Sequence, residues 1–119
     1  MVLRFRFVLP LLLAVTAFAQ NGVIKIGGEA QAKNLITKVN PHYPAAMKAR
    51  RLEASVQLAV LISGEGVPIS MSVQDPGGPS DFSDAAIEAV KQWRYKPTLL
   101  NGQPVDVMTT IQINFTLAK

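Results

Sequence analysis

The chain has 119 residues, with 12 Lys or Arg against 8 Asp or Glu, and is 49% apolar but only 17% charged; that balance excludes intrinsic disorder, and the length admits one core but not two. The absence of Cys excludes a disulfide scaffold, a thiol nucleophile, a Cys-based zinc site and an acylated lipoprotein anchor. A pI near 9.7 invites a nucleic-acid reading, but part of the positive excess lies in a leader and the longest basic run beyond it is Arg50-Arg51, so no nucleic-acid partner is expected.

Arg4 and Arg6 precede an apolar stretch, Phe7 to Phe18, that ends in Ala17-Phe18-Ala19. A basic leader, a short apolar core and a small-x-small end are the pattern a signal peptidase reads. A spanning helix needs about 20 apolar residues, whereas this run carries Pro10 and is broken by Thr16 and Gln20-Asn21-Gly22. Residues 1–19 are therefore expected to be a cleaved signal peptide, which places the mature chain in the periplasm; retention as an inner-membrane anchor is the rival reading. Cleavage would remove two cations and no acid, leaving 100 residues at net +2.

Residues 20–37 mix Gly22, Gly27 and Gly28 with a short Val23 to Ile26 alternation, which predicts an arm with one brief strand. Asn40-Pro41-His42-Tyr43-Pro44 cannot be helical, because each Pro pushes its predecessor into an extended conformation. Pro44 suits the start of a helix, where its missing N–H is no loss, and a first helix is expected from Ala45 to about Arg51. From Ser55 the period changes to two. Val56, Leu58, Val60 and Ile62 share one face and Gln57, Ala59 and Leu61 the other, as in a central strand. Ser63-Gly64-Glu65-Gly66 supplies a hairpin turn. Ile69, Met71 and Val73 alternate along the returning strand, which begins at Pro68 and so belongs at an edge.

A second helix is expected from Phe82 to Gln92, capped by Asp81, with Phe82, Ala85, Ala86, Ala89, Val90 and Trp93 on one face. After Pro97 and the turn Asn101-Gly102, a last strand alternates Val105, Val107, Ile111, Ile113, Phe115 and Leu117 with Asp106, Met108, Thr110, Gln112, Asn114 and Thr116. A right-handed crossover puts this last strand beside the first. The expected fold is α+β, with two helices packed on one face of a three-stranded, antiparallel-type sheet in the order two, one, three. The last strand then presents a long edge with no Pro and almost no charge to blunt it, and natural proteins avoid such edges unless they use them.

Catalytic chemistry finds little to work with. His42 has no Cys partner and reads as a surface residue, and Gly64-x-Gly66 precedes a strand, not a phosphate-binding helix. Asp81, Asp84 and Glu88 read as a cap and solvated helix surface, not as metal ligands. Trp93-Arg94-Tyr95-Lys96 interleaves aromatic and basic residues as single-strand binders do, but Trp93 completes the apolar helix stripe. The chain is not expected to be an enzyme, and no cofactor or metal is implied.

Tyr43-Pro44, the Gly64-Glu65-Gly66 turn, Ala85-Ala86 to Val90, Trp93-Arg94-Tyr95 with Pro97, Asn101-Gly102-Gln103-Pro104-Val105 and Ile111-Gln112-Ile113-Asn114-Phe115 occur together in order. This combination resembles the TonB C-terminal domain family over residues 38–117. The domain division it implies is a signal peptide (1–19), an arm (20–37) and a TonB C-terminal-like domain (38–119). The resemblance implies an energy-transducer function in TonB-dependent transport. The TonB box of an outer-membrane transporter, an extended peptide, is captured by strand addition beside the last strand. The peptide-binding residues it implies are Val107, Met108, Thr109, Thr110, Ile111, Gln112, Ile113 and Asn114 on that strand, flanked by Lys38 and Asn40. An ExbB and ExbD motor would be a partner only if the leader were retained as an anchor. The sequence departs from the family in having no Pro-rich spacer and in placing Glu53-Ala54-Ser55 where a Gly is usual. The alternative expectation is a stand-alone envelope module that pairs with a second copy of itself or with another periplasmic or cell-wall partner.

Overall fold

The computed structural model describes residues 22–118, so the expected leader lies outside the described residues. The elements in chain order are β1 (Val23–Lys25), α1 (Gly28–Ala32), β2 (Leu35–Thr37), α2 (Ala45–Ala49), β3 (Ala54–Ile62), β4 (Pro68–Asp75), α3 (Ser80–Val90), β5 (Arg94–Tyr95), β6 (Thr98–Leu100) and β7 (Gln103–Phe115). Among the described residues no helix is long and apolar enough to cross a membrane.

The expected order of three strands is present. β3 is central, paired antiparallel to β4 on one side and to β7 on the other, where nine residue pairs run from Ala54–Phe115 to Ile62–Val107. The sheet is larger than expected and mixed: β1 lies parallel to β7 on its far side, β6 forms a hairpin with β7, and β2 and β5 make a separate two-stranded ladder. β6 and β7 meet through Asn101 and Gly102, both with positive φ (54° and 82°), the two-residue turn whose twist matches a hairpin.

The period-two pattern of β3 decides which face is dry. Val56, Leu58, Val60 and Ile62 are buried, as are Val105, Val107, Thr109, Ile111, Ile113 and Phe115 of β7. α3 lies over this face with Phe82, Ala86 and Val90, and Met47 of α2 and Trp93 complete the core. Each large apolar side chain so buried stabilises the fold by about 1.5–3 kcal/mol. Tyr43 meets Phe82 and Phe115 edge-on, at 5.9 and 5.7 Å between centroids, while its hydroxyl donates to the Leu52 carbonyl. The Tyr-Pro segment thus fastens α2 to the end of β7. Trp93 is buried and its Nε1 donates to the Val39 carbonyl at 2.8 Å.

β4 lies at the edge of the sheet as expected, with Met71 packed against the core and Ile69 and Val73 exposed. Two expectations need correction. Asp81 does not cap α3: the helix starts two residues earlier than expected, at Ser80, behind Pro79, and no side chain caps it. The described residues hold three helices, not two, since the arm folds into α1 and its flanking strands.

The hairpin turn also ties the main sheet to the small ladder. Tyr95 N–H donates to the Gly66 carbonyl at 2.9 Å. Gly66 has φ +88°, and a Cβ there would stand 1.9 Å from the Tyr95 oxygen. Only Gly fits that approach.

Candidate peptide-binding edge

β7 carries eight of the ten residues expected to bind peptide, and its register shows what each offers. Along a strand, successive backbone groups point to opposite sides. Met108 C=O accepts from Ile26 N–H at 3.1 Å on the β1 side. Met108, Thr110, Gln112 and Asn114 therefore turn their N–H and C=O groups to the outer edge, with Asp106 before them. Val107, Thr109, Ile111 and Ile113 turn theirs inward to Ile62, Val60, Leu58 and Val56 of β3. The face alternates with the same parity, so the inward-bonded residues are also the buried ones.

The expectation of an unprotected edge along the whole strand is overturned for its first half. β1 pairs with Asp106, Val107 and Met108. The chain then turns into α1 so tightly that a Cβ on Gly28 would lie 2.5 Å from the Thr110 carbonyl. Gln112 and Asn114 are left at the open end, with no strand beyond them among the described residues. Their side chains sit on the solvated face, where Asn114 Oδ1 accepts from Ser55 Oγ at 2.7 Å and from Gln112 Nε2 at 3.1 Å.

The two flanking residues are parted. Lys38 places its ammonium 5.8 Å from the centre of the Trp93 ring, a distance at which a cation is held by the ring face, and borders a hollow of about 480 Å³ that also touches Thr110, Ile111 and Gln112. Asn40 borders a different hollow, of about 530 Å³, between the 39–44 segment and α3, with His42, Asp81, Asp84 and Glu88 around it. Lys38 thus adjoins the edge; Asn40 does not share its hollow.

Sequence reasoning missed α1 and Gln31, which closes the Lys38 hollow from the arm side. The signal for Thr109 was present: a polar residue in the otherwise apolar series from Val105 to Phe115.

A mixed sheet backed by helices on one face, ending in a long last strand beside a short N-terminal one, defines an α+β domain class. The family model for the C-terminal part of the Gram-negative bacterial TonB protein matches residues 39–117, and the chain belongs to this family. Similar proteins include TonB of Vibrio cholerae, 31% identical over 80 residues, which are 67% of this chain and 33% of that protein. Another is the tonB2 protein of Pseudomonas aeruginosa, 32% identical over 77 residues, 65% of this chain and 28% of that one. The matched part of the chain spans about a third of these relatives' length. Among solved structures, the solution structure of the Pseudomonas aeruginosa TonB C-terminal domain superposes with a TM-score of 0.63 at 24% identity, covering 71% of this chain and 86% of that one. TonB2 of Vibrio anguillarum gives 0.55 at 28%, covering 71% and 80%.

Proposed function

We propose that this protein captures an extended peptide, the TonB box of an outer-membrane transporter, as a strand added to the outer edge of β7, and so serves TonB-dependent transport. The observation that carries this reading is the edge at Gln112 and Asn114. Their backbone donors and acceptors face outward on a strand whose other side is held by nine residue pairs, so an added strand meets a rigid template. Residues 38–119 form the binding domain in this reading, and residues 20–37 the arm that limits where the peptide starts. The protein works in the periplasm after loss of residues 1–19; coupling to an ExbB and ExbD motor requires those residues to be kept as an anchor. N-terminal sequencing of the envelope protein separates the two, since Gln20 as first residue supports cleavage and Met1 opposes it.

The binding test uses parity. Gln112→Pro deletes an outward donor at an edge, where Pro is tolerated, and is expected to abolish binding of a TonB-box peptide while circular dichroism stays native. Unchanged binding by folded Gln112→Pro protein defeats strand addition.

A second reading, pairing with another copy, is favoured by β4, whose outer edge carries exposed Ile69 and Val73 (54% and 39% exposed). Sedimentation at rising concentration tests it: dimers that Ile69→Lys dissolves support it, and a monomer throughout opposes it.

A further inference from the structure

The arm occupies β7 as a guest strand would. Val23, Ile24 and Lys25 pair with Asp106, Val107 and Met108, and Ile26 N–H donates to the Met108 carbonyl at 3.1 Å. By alternation the Ile24 donor points the same way. These are the outward groups of β7 that an added strand needs, and the approach of Gly28 to the Thr110 carbonyl closes the next of them. The hold is light. β1 has three residues, of which Val23 is 49% exposed and Lys25 is exposed, so Ile24 alone is partly buried. Ile24, Ile26 and Leu35 rest against the core, which keeps the arm docked while no other strand competes. α1 closes with a defect: Gln31 is 1% exposed, its Oε1 accepts from Asn34 Nδ2 at 3.3 Å within the arm, and its Nε2 is sealed in without a hydrogen-bond partner. Thr109 Oγ1, on the covered stretch of β7, is buried without one too. A buried polar atom left unmet costs more than a typical hydrogen bond gains, so closing the arm carries a penalty that lifting it returns once water reaches Gln31.

We infer that the arm is a built-in stand-in for the bound peptide: β1 and α1 fill the edge of β7 in the free protein and give it up, by strand exchange, to a peptide long enough to reach Asp106. The inference rests on the strand-addition reading above and extends it from the open end at Gln112 and Asn114 to every outward residue from Asp106 onward. Exchange replaces like with like, since the backbone groups that β1 releases are taken up by the incoming strand, and the balance is tipped by what the arm leaves unmet. In the free protein the arm keeps the edge from pairing at random. It also sets a threshold. A short strand finds only the open end, whereas a longer one must win the covered half, and its apparent affinity is lowered by the fraction of time the arm is closed. β1 and α1 lie before residues 39–117, which the family model matches, so the threshold is a property of this chain's own arm.

The experiment titrates two fluorescein-labelled peptides of alternating Thr and Val, a tetrapeptide that fits the open end and a nonapeptide that spans Asp106 to Asn114, against the protein and two arm variants. Ile24→Pro deletes a donor to β7, and Gly28→Val drives a side chain at the Thr110 carbonyl; neither alters a residue of β7. Both variants are expected to bind the nonapeptide about tenfold tighter than the unaltered protein does, which corresponds to an arm closed about nine-tenths of the time, with tetrapeptide binding unchanged. In the unaltered protein, saturation with the nonapeptide should speed amide exchange at Ile24 and Ile26 while Val107 and Ile111 stay protected, a measurement that needs no variant to fold. Unchanged nonapeptide affinity in folded variants, an equal gain for both peptides, or slow exchange at Ile24 and Ile26 in the saturated complex overturns the strand exchange and leaves strand addition at the open end standing. Failure of both peptides to bind any of the three proteins overturns both.

Discussion

The two halves of β7 share one strand, one alternation and one inner partner, yet differ at the outer edge. From Asp106 to Thr110 the edge is taken by the chain's own arm; at Gln112 and Asn114 it is open. The inner side is bonded over nine pairs and the outer cover rests on a three-residue strand. The difference separates what builds the domain from what the domain has to offer a partner: inward groups belong to the fold, outward groups to whichever strand arrives.

The comparison can be broken most severely at Ile113. Ile113→Pro removes an inward donor and a buried side chain together, and should cost more than about 4 kcal/mol, seen as loss of the cooperative denaturant transition. Its neighbour Gln112→Pro should cost about 1 kcal/mol in the same melt. Equal losses would show that parity does not divide the strand. Trp93→Ala strikes beneath the open half, where the ring fills the core and supports Lys38, and should cost about 3–5 kcal/mol through the cavity left behind. A loss under about 1 kcal/mol would put the ring outside the core.

A gentler change acts on the covered half. Gly28→Val drives a branched side chain at the Thr110 carbonyl, so the arm should lift while the core remains. Amide exchange should speed up at Met108 and Thr110, and not at Val107 or Ile111, whose donors face β3. Uniform protection in the variant would mean the arm accommodates the clash. The smallest effect is on alkaline stability. Burial pushes the Tyr95 phenol up to about 12, and Tyr43 is raised by burial and then by the Glu53 carboxylate. The unfolded chain releases these protons near pH 10, so stability should be level below that and fall as pH rises toward 12. Tyr95→Phe should flatten part of that fall in urea midpoints measured across the range.

The alternation of β3 and β7 and the Trp93 stripe were legible in the sequence, because burial on one face leaves a residue-by-residue imprint. Edge occupancy leaves none: Val23–Lys25 pairs through backbone groups, and backbone groups are the same in every residue but Pro. α1 was hidden because five residues are too few to show a helical period, and a helix that short stands only by packing. Asp81 was misread as a cap since a side chain that can cap does so only if the helix starts just after it, and Pro79 starts it sooner. The candidate site was half visible for the same reasons. Its strand could be read off, whereas the hollow under Lys38 arises where the arm comes back over β7, some eighty residues away in sequence.

The parallel course of β1 has a mechanical consequence. Both strands run in the same direction, so a pull on the chain ahead of residue 22 that is resisted at the sheet loads the β1 bonds along their shared axis, in shear. Three residues in register yield long before the nine pairs that bind β7 to β3. Tension would therefore peel off the arm first, lengthening the chain by about 40 Å, since each freed residue spans at most about 3.3–3.6 Å, and would bare Asp106 to Thr110 with the core still folded. A force trace from optical tweezers should show this short early step before the main rupture; a single rupture would mean the arm and the core give way together.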